Sequence, residues 1–180
     1  MHQIRFHGRG GQGVVTAAEL VAVSAFYEGW QAQAFPSFGV ERTGAPIEAF
    51  ARMDKKPIRT REHVQHPDIL IIQDSSLIGT VDLLRGCGKD TIVIVNTTKS
   101  KDELAIDLPK ENIFAIDATK IALEVLGRNI VNTVILGAFA KGTKLISLES
   151  LKKAITEKFG SKGQAMVDKN IKAIEEAYKL

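Results

Sequence analysis

The sequence predicts an α/β fold: a three-layer α/β/α, Rossmann-like sheet, mostly parallel, with an antiparallel insertion. Three observations carry this. Gly8-Arg9-Gly10-Gly11-Gln12-Gly13 sits between a short apolar run, Ile4-Arg5-Phe6-His7, and a helix-like run from Val14 to Tyr27, the order of a phosphate-cradling βα unit. Three later apolar runs, Ile69–Ile72, Thr91–Val95 and Ile113–Ile116, read as strands buried on both faces. Each ends in short polar residues, and stretches with helical periodicity lie between and after them.

Met1 to His7 reads as a central first strand, because a glycine loop and a helix follow directly. The helix, about Gly13 to Glu28, sets Val14, Ala17, Ala18, Val21, Ala22 and Ala25 on one stripe, and Gly29 ends it. Gln31 to Phe35 is a second short strand. Phe35-Pro36-Ser37-Phe38-Gly39-Val40-Glu41-Arg42-Thr43-Gly44-Ala45-Pro46 then holds two prolines and two glycines, so it is a loop. Its aromatics could tuck into the local core, but so dense a set of chemistry favours a loop shaped to meet a partner or ligand.

Ile47 to Met53 alternates as a strand, Asp54-Lys55-Lys56-Pro57 turns, and Ile58-Arg59-Thr60 returns as a hairpin, supplying the antiparallel pair. A helix from Leu77 to Arg85 follows Gln73-Asp74-Ser75-Ser76. Asn96-Thr97-Thr98 ends the next strand, and Asp117-Ala118-Thr119 ends the one before a helix from Lys120 to Leu126. Most of these polar residues read as helix caps, yet together they define one polar rim where an open α/β sheet holds its ligands. Three more helices complete the chain: one from Asn132 to Gly142, one capped by Ser147, and one carrying Val167, Ile171, Ile174 and Tyr178.

The 180 residues read as a single domain, 1–180, with an ordinary globular balance of 44% hydrophobic and 25% charged residues. A net charge of +3 fits an anionic ligand without requiring nucleic acid, and the aromatics do not alternate with basic residues as stacking platforms do. No apolar stretch approaches a membrane span. The single cysteine, Cys87, precludes an internal disulfide and cannot by itself hold an iron–sulfur cluster or cysteine-based zinc site. A cytoplasmic location and the absence of a signal peptide are expected. His63 and His66 have no third ligand near in sequence and read as surface residues, so no metal site is expected.

Gly8, Gly10 and Gly13 satisfy G-x-G-x-x-G, which first suggests a dinucleotide. A self-contained NAD(P)-binding dehydrogenase then needs an acidic residue at the end of the second strand, and that strand ends in Phe35-Pro36. No serine elbow, no zinc-binding histidine pair and no Walker lysine is present, so no catalytic residue is assigned.

Ile4 to Gly13 followed by Ala34 to Pro46 closely resembles the gamma subunit of the pyruvate/2-oxoacid:ferredoxin oxidoreductases. Further matches are His66-Pro67-Asp68, Asp74-Ser75-Ser76-Leu77, Asn132-Thr133 with Leu136-Gly137-Ala138, and Ser147-Leu148-Glu149. Thr43 departs from the pattern, standing where many relatives carry arginine. The resemblance implies a multi-subunit enzyme that turns a 2-oxoacid and CoA into acyl-CoA and CO2 and passes electrons to ferredoxin. It places thiamine diphosphate between the alpha and beta subunits and 4Fe–4S clusters on the beta and delta subunits. This chain would be inactive alone. Gly8, Arg9, Gly10, Gly11, Gln12 and Gly13 are then the candidate site for the phosphates of coenzyme A, or else a surface that packs against the alpha subunit, and Phe35, Phe38, Glu41 and Arg42 the candidate partner interface. Pyruvate is the preferred substrate, with 2-oxoisovalerate the alternative.

Overall fold

In the computed structural model, which describes residues 1–37 and 42–179, six strands form one mixed sheet. They are β1 (His2–Arg9), β2 (Gln31–Pro36), β3 (Pro46–Asp54), β4 (Ile69–Ile72), β5 (Ile92–Asn96) and β6 (Ile113–Ile116), in the order β2-β3-β1-β4-β5-β6. β3 lies antiparallel to both β1 and β2, while β4, β5 and β6 extend from β1 in parallel. The α/β class and the mixed sheet agree with the sequence reading.

The antiparallel element is, however, the single strand β3 and not a pair. Ile58-Arg59-Thr60 forms no strand. The Thr60 and Glu62 carbonyls accept hydrogen bonds from the Gln33 and Arg52 side chains, so this segment lies across the sheet instead of extending it. β6 is also an edge strand, with Phe114 and Ala115 exposed, rather than buried on both faces.

One face of the sheet carries the helices. α1 (Val14–Tyr27) packs its alanine stripe on β1, β2 and β3, as its periodicity predicts. After β6 come α2 (Ala118–Ile121), continued by a π-helical turn Ala122–Leu126, then α3 (Val131–Thr143), α4 (Leu148–Phe159) and α5 (Gln164–Tyr178). Every residue of α3 from Val131 to Ala140 is buried, since the sheet, α1 and α5 surround it. A Cβ on Gly137 would overlap the Ile174 carbonyl of α5, so glycine sets that helix spacing. Lys144, at φ 56°, takes the left-handed position after α3. The Glu28 carboxylate accepts from Ser147 N (2.8 Å) and Ser150 Oγ (2.6 Å), tying the end of α1 to the start of α4.

The opposite face is built differently from the expected helical layer. Leu70, Ile72, Val93 and Val95 are covered by Leu77, Leu83, Leu104 and Ile106, which lie in irregular chain and short 3-10 turns. The segment read as a helix from Leu77 to Arg85 forms turns and irregular chain; only its first residue belongs to a 3-10 turn, Ser75–Leu77. Gly79 and Gly86 have positive φ, and the Leu83 and Arg85 carbonyls are taken by Arg5 Nη2 at 2.8 and 2.7 Å. The guanidinium pins these two carbonyls in a turn with glycines at positive φ, a path that does not continue as a helix.

On this face Arg5 Nε donates to His7 Nε2 (3.1 Å), so the imidazole acts as acceptor and must be neutral, with its proton on Nδ1. Burial, then the positive Arg5 and Arg85, pushes the His7 pKa down to about 3. The Glu48 carboxylate, 3.7 Å from Nδ1, is beyond hydrogen-bond reach and does not reverse this. Protonation therefore favours the unfolded chain: the neutral contribution is complete above pH 6.5 and falls away as pH drops toward about 3. Relative to His7→Gln, the wild type should lose about 1.4 kcal/mol of stability per pH unit through that window, measured by urea unfolding. Parallel pH profiles for the two proteins would contradict it.

Candidate functional site

β1 ends where the glycine loop begins, and a second segment is laced to it by backbone hydrogen bonds. Gly10 N donates to Ala45 O (2.9 Å), and Gly44 N donates to Gly10 O (3.0 Å). A Cβ on Gly10 would overlap the Arg42 carbonyl, so the close approach that this glycine permits is made by the chain itself. Gly11, at φ 91°, and Gly13, at φ 70°, complete the turn, and a Cβ on Gly13 would run into the Asn132 side chain at the start of α3. α1 has no side-chain cap at Gly13, which leaves the helix start to other partners.

The loop's side chains form a latch. Gln12 Oε1 accepts from Arg9 N (2.7 Å), and Gln12 Nε2 donates to Asp74 Oδ2 (2.9 Å). The Arg9 guanidinium meets Asp74 Oδ2 at 3.2 Å, Gly44 O at 3.0 Å and Ser76 Oγ at 2.8 Å. Partial burial opposes the Asp74 charge, but hydrogen bonds from Ser76 and Gln12 and the nearby Arg9 outweigh it and hold the carboxyl below its usual range.

Beside the latch a cleft of about 670 Å³ opens at the carboxyl ends of β4, β5 and β6. The polar rim read from the sequence lines it: Gln73, Asp74 and Ser75 after β4, Asn96, Thr97 and Thr98 at the end of β5, and Asp117 and Thr119 after β6. Several of these residues are caps. Asp74 Oδ1 accepts from Ser76 N and Asp117 Oδ1 from Lys120 N. Asn96 is fully engaged, bridging Gln73 O and Thr119. The cleft flanks the switch between β1, whose chain continues through α1 toward β2 and β3, and β4, from which the sheet grows the other way, the usual ligand position in an open α/β sheet.

Of the candidate interface residues, Arg42 lies against the glycine loop through its carbonyl and Phe35 lies away from it. The glycine loop stands at the cleft, with Gln12 in its lining. Phe35 lies on the other face of the sheet, 5.3 Å from Phe50 and beneath the Arg52 guanidinium, so it is half-buried and not a free anchor. Arg42 is exposed, at the start of the Arg42–Ala45 segment that is laced to Gly10. Phe38 and Glu41 lie outside the described residues. His63 and His66 are exposed, His63 stacked on Phe50. Cys87 is half-buried near Arg5, and burial pushes its thiol pKa up. Among the described residues no three His, Cys, Asp or Glu side chains are placed to hold a metal, and no helix is long and apolar enough to cross a membrane.

Gln73 escaped the sequence reading as an individual site residue. The signal was parity: Ile69 and Ile71 face the helices, so the second residue after Ile71 does too, and it arrives there as a buried amide.

A glycine loop, an uncapped helix start and a polar cleft at a topological switch define an open α/β protein with a cleft at its strand ends. The chain belongs to the pyruvate ferredoxin/flavodoxin oxidoreductase family, whose model matches residues 3–180. A Thermococcus kodakarensis protein named pyruvate/ketoisovalerate oxidoreductases common subunit gamma is 53% identical over 180 residues, covering 99% of this chain and 96% of its own length. The pyruvate synthase subunit PorC of Methanocaldococcus jannaschii is 50% identical over 178 residues, with coverage of 99% and 96%. The crystal structure of pyruvate oxidoreductase subunit PORC from Thermotoga maritima superposes with a TM-score of 0.84 at 35% identity, covering 99% of this chain and 95% of that one. These relatives are subunits of oxidoreductases, and they match end to end.

The geometry distinguishes neighbouring glycines. Gly10→Ala drives a methyl group into the Arg42 backbone and should cost about 3 kcal/mol. Gly11→Ala meets only Thr43 Cγ2 at an ordinary contact distance of 3.9 Å and a strained φ, and should cost about 1–2 kcal/mol. Chemical unfolding of both variants gives the order; equal losses would refute the lacing.

Proposed function

We propose that this chain is the gamma subunit of a pyruvate (2-oxoacid):ferredoxin oxidoreductase, and that its glycine loop meets the phosphates of coenzyme A within the assembled enzyme. The observation that carries the reading is the uncapped start of α1 at the mouth of a polar cleft, in a chain that aligns end to end with gamma-type subunits. Backbone N–H groups at Gly11, Gly13 and Val14 carry the partial positive charge of a helix start, which favours phosphate. Arg9 reaches a phosphate only by releasing Asp74, so binding would exchange an internal ion pair for one with the ligand.

The remaining cofactors lie on partners in this reading. One cysteine cannot hold a 4Fe–4S cluster, so electron transfer to ferredoxin belongs to the beta and delta subunits, and thiamine diphosphate to the alpha and beta subunits. Decarboxylation chemistry is supplied there, while this chain binds and orients the acyl acceptor. Pyruvate is the preferred 2-oxoacid. The ketoisovalerate in the Thermococcus name keeps the branched-chain substrate as the second reading, in which one gamma chain serves both enzymes. Phe38, Glu41 and Arg42 are assigned in this reading to the contact with the partner subunits, and Phe35 is not a free anchor. The enzyme works in the cytoplasm.

Gln12→Glu preserves the side chain's shape and places a negative charge at the loop. In the assembled complex it should raise KM for CoA about ten-fold and leave KM for the 2-oxoacid unchanged. An unaltered CoA requirement would remove the loop from CoA binding. Replacing Phe38 and Arg42 together by alanine should lower the amount of this chain retained by a tagged alpha subunit; full retention would place the interface elsewhere.

A further inference from the structure

The two edges of the sheet are unlike. β6 is four residues long and is bracketed by Lys110 and Glu111 before it and Asp117 and Lys120 after it, charges that discourage a further strand. β2 is longer, Gln31-Ala32-Gln33-Ala34-Phe35-Pro36, and carries no charge. The Ser37 N–H donates to Glu48 O (3.0 Å), which fixes the parity of the ladder. Gln31, Gln33 and Phe35 turn their main-chain groups to β3, and Ala32, Ala34 and Pro36 turn theirs outward. Among the described residues no main-chain group pairs with the outward groups of Ala32 and Ala34. Pro36 stands at an outward position, where its missing N–H costs the ladder nothing.

The helix above this edge is almost as free of charge. α1 packs on β2 and β3, with α3 and α4 against its other sides. Its 14 residues include one charged group, Glu19, which Lys158 of α4 pairs at 2.6 Å, in a chain with 25% charged residues. A surface helix normally turns a charged face to water. α1 instead leaves Val15, Ala22 and Phe26 in a row on the flank that the sheet, α3 and α4 do not take, and Phe26 is 70% exposed. The open strand edge and the apolar helix flank lie side by side, and this chain covers neither.

We propose that this surface joins two copies of the chain, with β2 pairing antiparallel to β2 of the second copy across a two-fold axis at Gln33. The register follows from the parity. With Gln33 opposite its own counterpart, Ala32 meets Ala34 of the second copy and exchanges both main-chain hydrogen bonds with it, and symmetry repeats the exchange. No charge lies on β2, so self-pairing brings no like charges together. A strand that selects a different chain does so with charges, whereas β2 and the α1 flank offer neutral, self-complementary groups. Ala32 and Ala34 turn their side chains toward the core under α1. An axis normal to the sheet therefore sets α1 beside α1 of the second copy on one face, where Val15, Ala22 and Phe26 close over the junction and the two sheets become one. This pairing is independent of what the glycine loop binds.

The test is sedimentation velocity of the full-length chain over a range of concentrations, combined with hydrogen exchange at the β2 amides. The wild type should sediment as a dimer. Dilution to monomer should expose the Ala32 and Ala34 amides, while those of Gln33 and Phe35, bonded to β3, stay protected. Ala34→Pro removes an outward donor and leaves the β2–β3 ladder whole, and Phe26→Lys places a charge in the apolar junction without touching the core. Each should shift the species to monomer. Gln33→Cys should cross-link two copies on mild oxidation and Gln31→Cys should not, since only position 33 faces itself; the wild type with its half-buried Cys87 is the control. A chain that is monomeric at every concentration, a dimer that survives both Ala34→Pro and Phe26→Lys, or cross-linking at Gln31 in place of Gln33 would overturn the proposal. Protection of the Ala32 and Ala34 amides that appears only when the alpha or beta subunit joins a monomeric chain gives the surface to that subunit and rejects self-pairing.

Discussion

Two segments more than thirty residues apart share backbone hydrogen bonds at Gly10, and the candidate site depends on that contact. The missing side chain lets the Arg42–Ala45 strap come against the loop. The strap's Gly44 carbonyl then helps to fix the Arg9 guanidinium, which holds Asp74, which in turn orients Gln12 over the helix start. Asn132 closes the arrangement from α3 by packing on Gly13. The dispersed sequence features are thus one physical unit. Each polar member is positioned by another, so the loop keeps a defined shape although it belongs to no regular element.

The site's core chemistry also differs from the dinucleotide-binding pattern that its glycines first suggest. In that pattern the middle glycine makes room for a pyrophosphate. Here the room is filled by the chain's own carbonyl, and Gln12, just before the helix start, is tied to Asp74. The Asp74 carboxylate is met by Arg9, Gln12 and Ser76, so the loop's charges are balanced within the chain. The closed loop is therefore stable without a ligand.

Strands and helices with strong periodicity were legible in the sequence, as was the convergence of three polar strand ends on one rim. The continuous apolar run Ile69–Ile72 marks a strand covered on both faces, and the alanine stripe of α1 fixes which face of that helix turns inward. The stretch from Leu77 to Arg85 was misleading because its leucines are spaced as on a helix, while its fate is decided by Arg5, some eighty residues earlier, which claims its carbonyls. Ile58–Thr60 likewise lost its strand to side chains on β2 and β3. Tertiary capture of backbone groups leaves no trace in a local window. Gln73 was hidden for a related reason: a polar residue after an apolar run resembles a cap until the partners around it can be counted.

The unequal construction of the two faces has a dynamic consequence. Helices that bury a shared apolar core open together, whereas turns held by a few side-chain contacts open in small pieces at much lower free energy. Amide hydrogens in the segments lying over Leu70, Ile72, Val93 and Val95 should accordingly exchange through local fluctuations, while α3, enclosed on every side, exchanges only through global unfolding. The sheet then separates a rigid half from a yielding one, with the glycine loop at the seam.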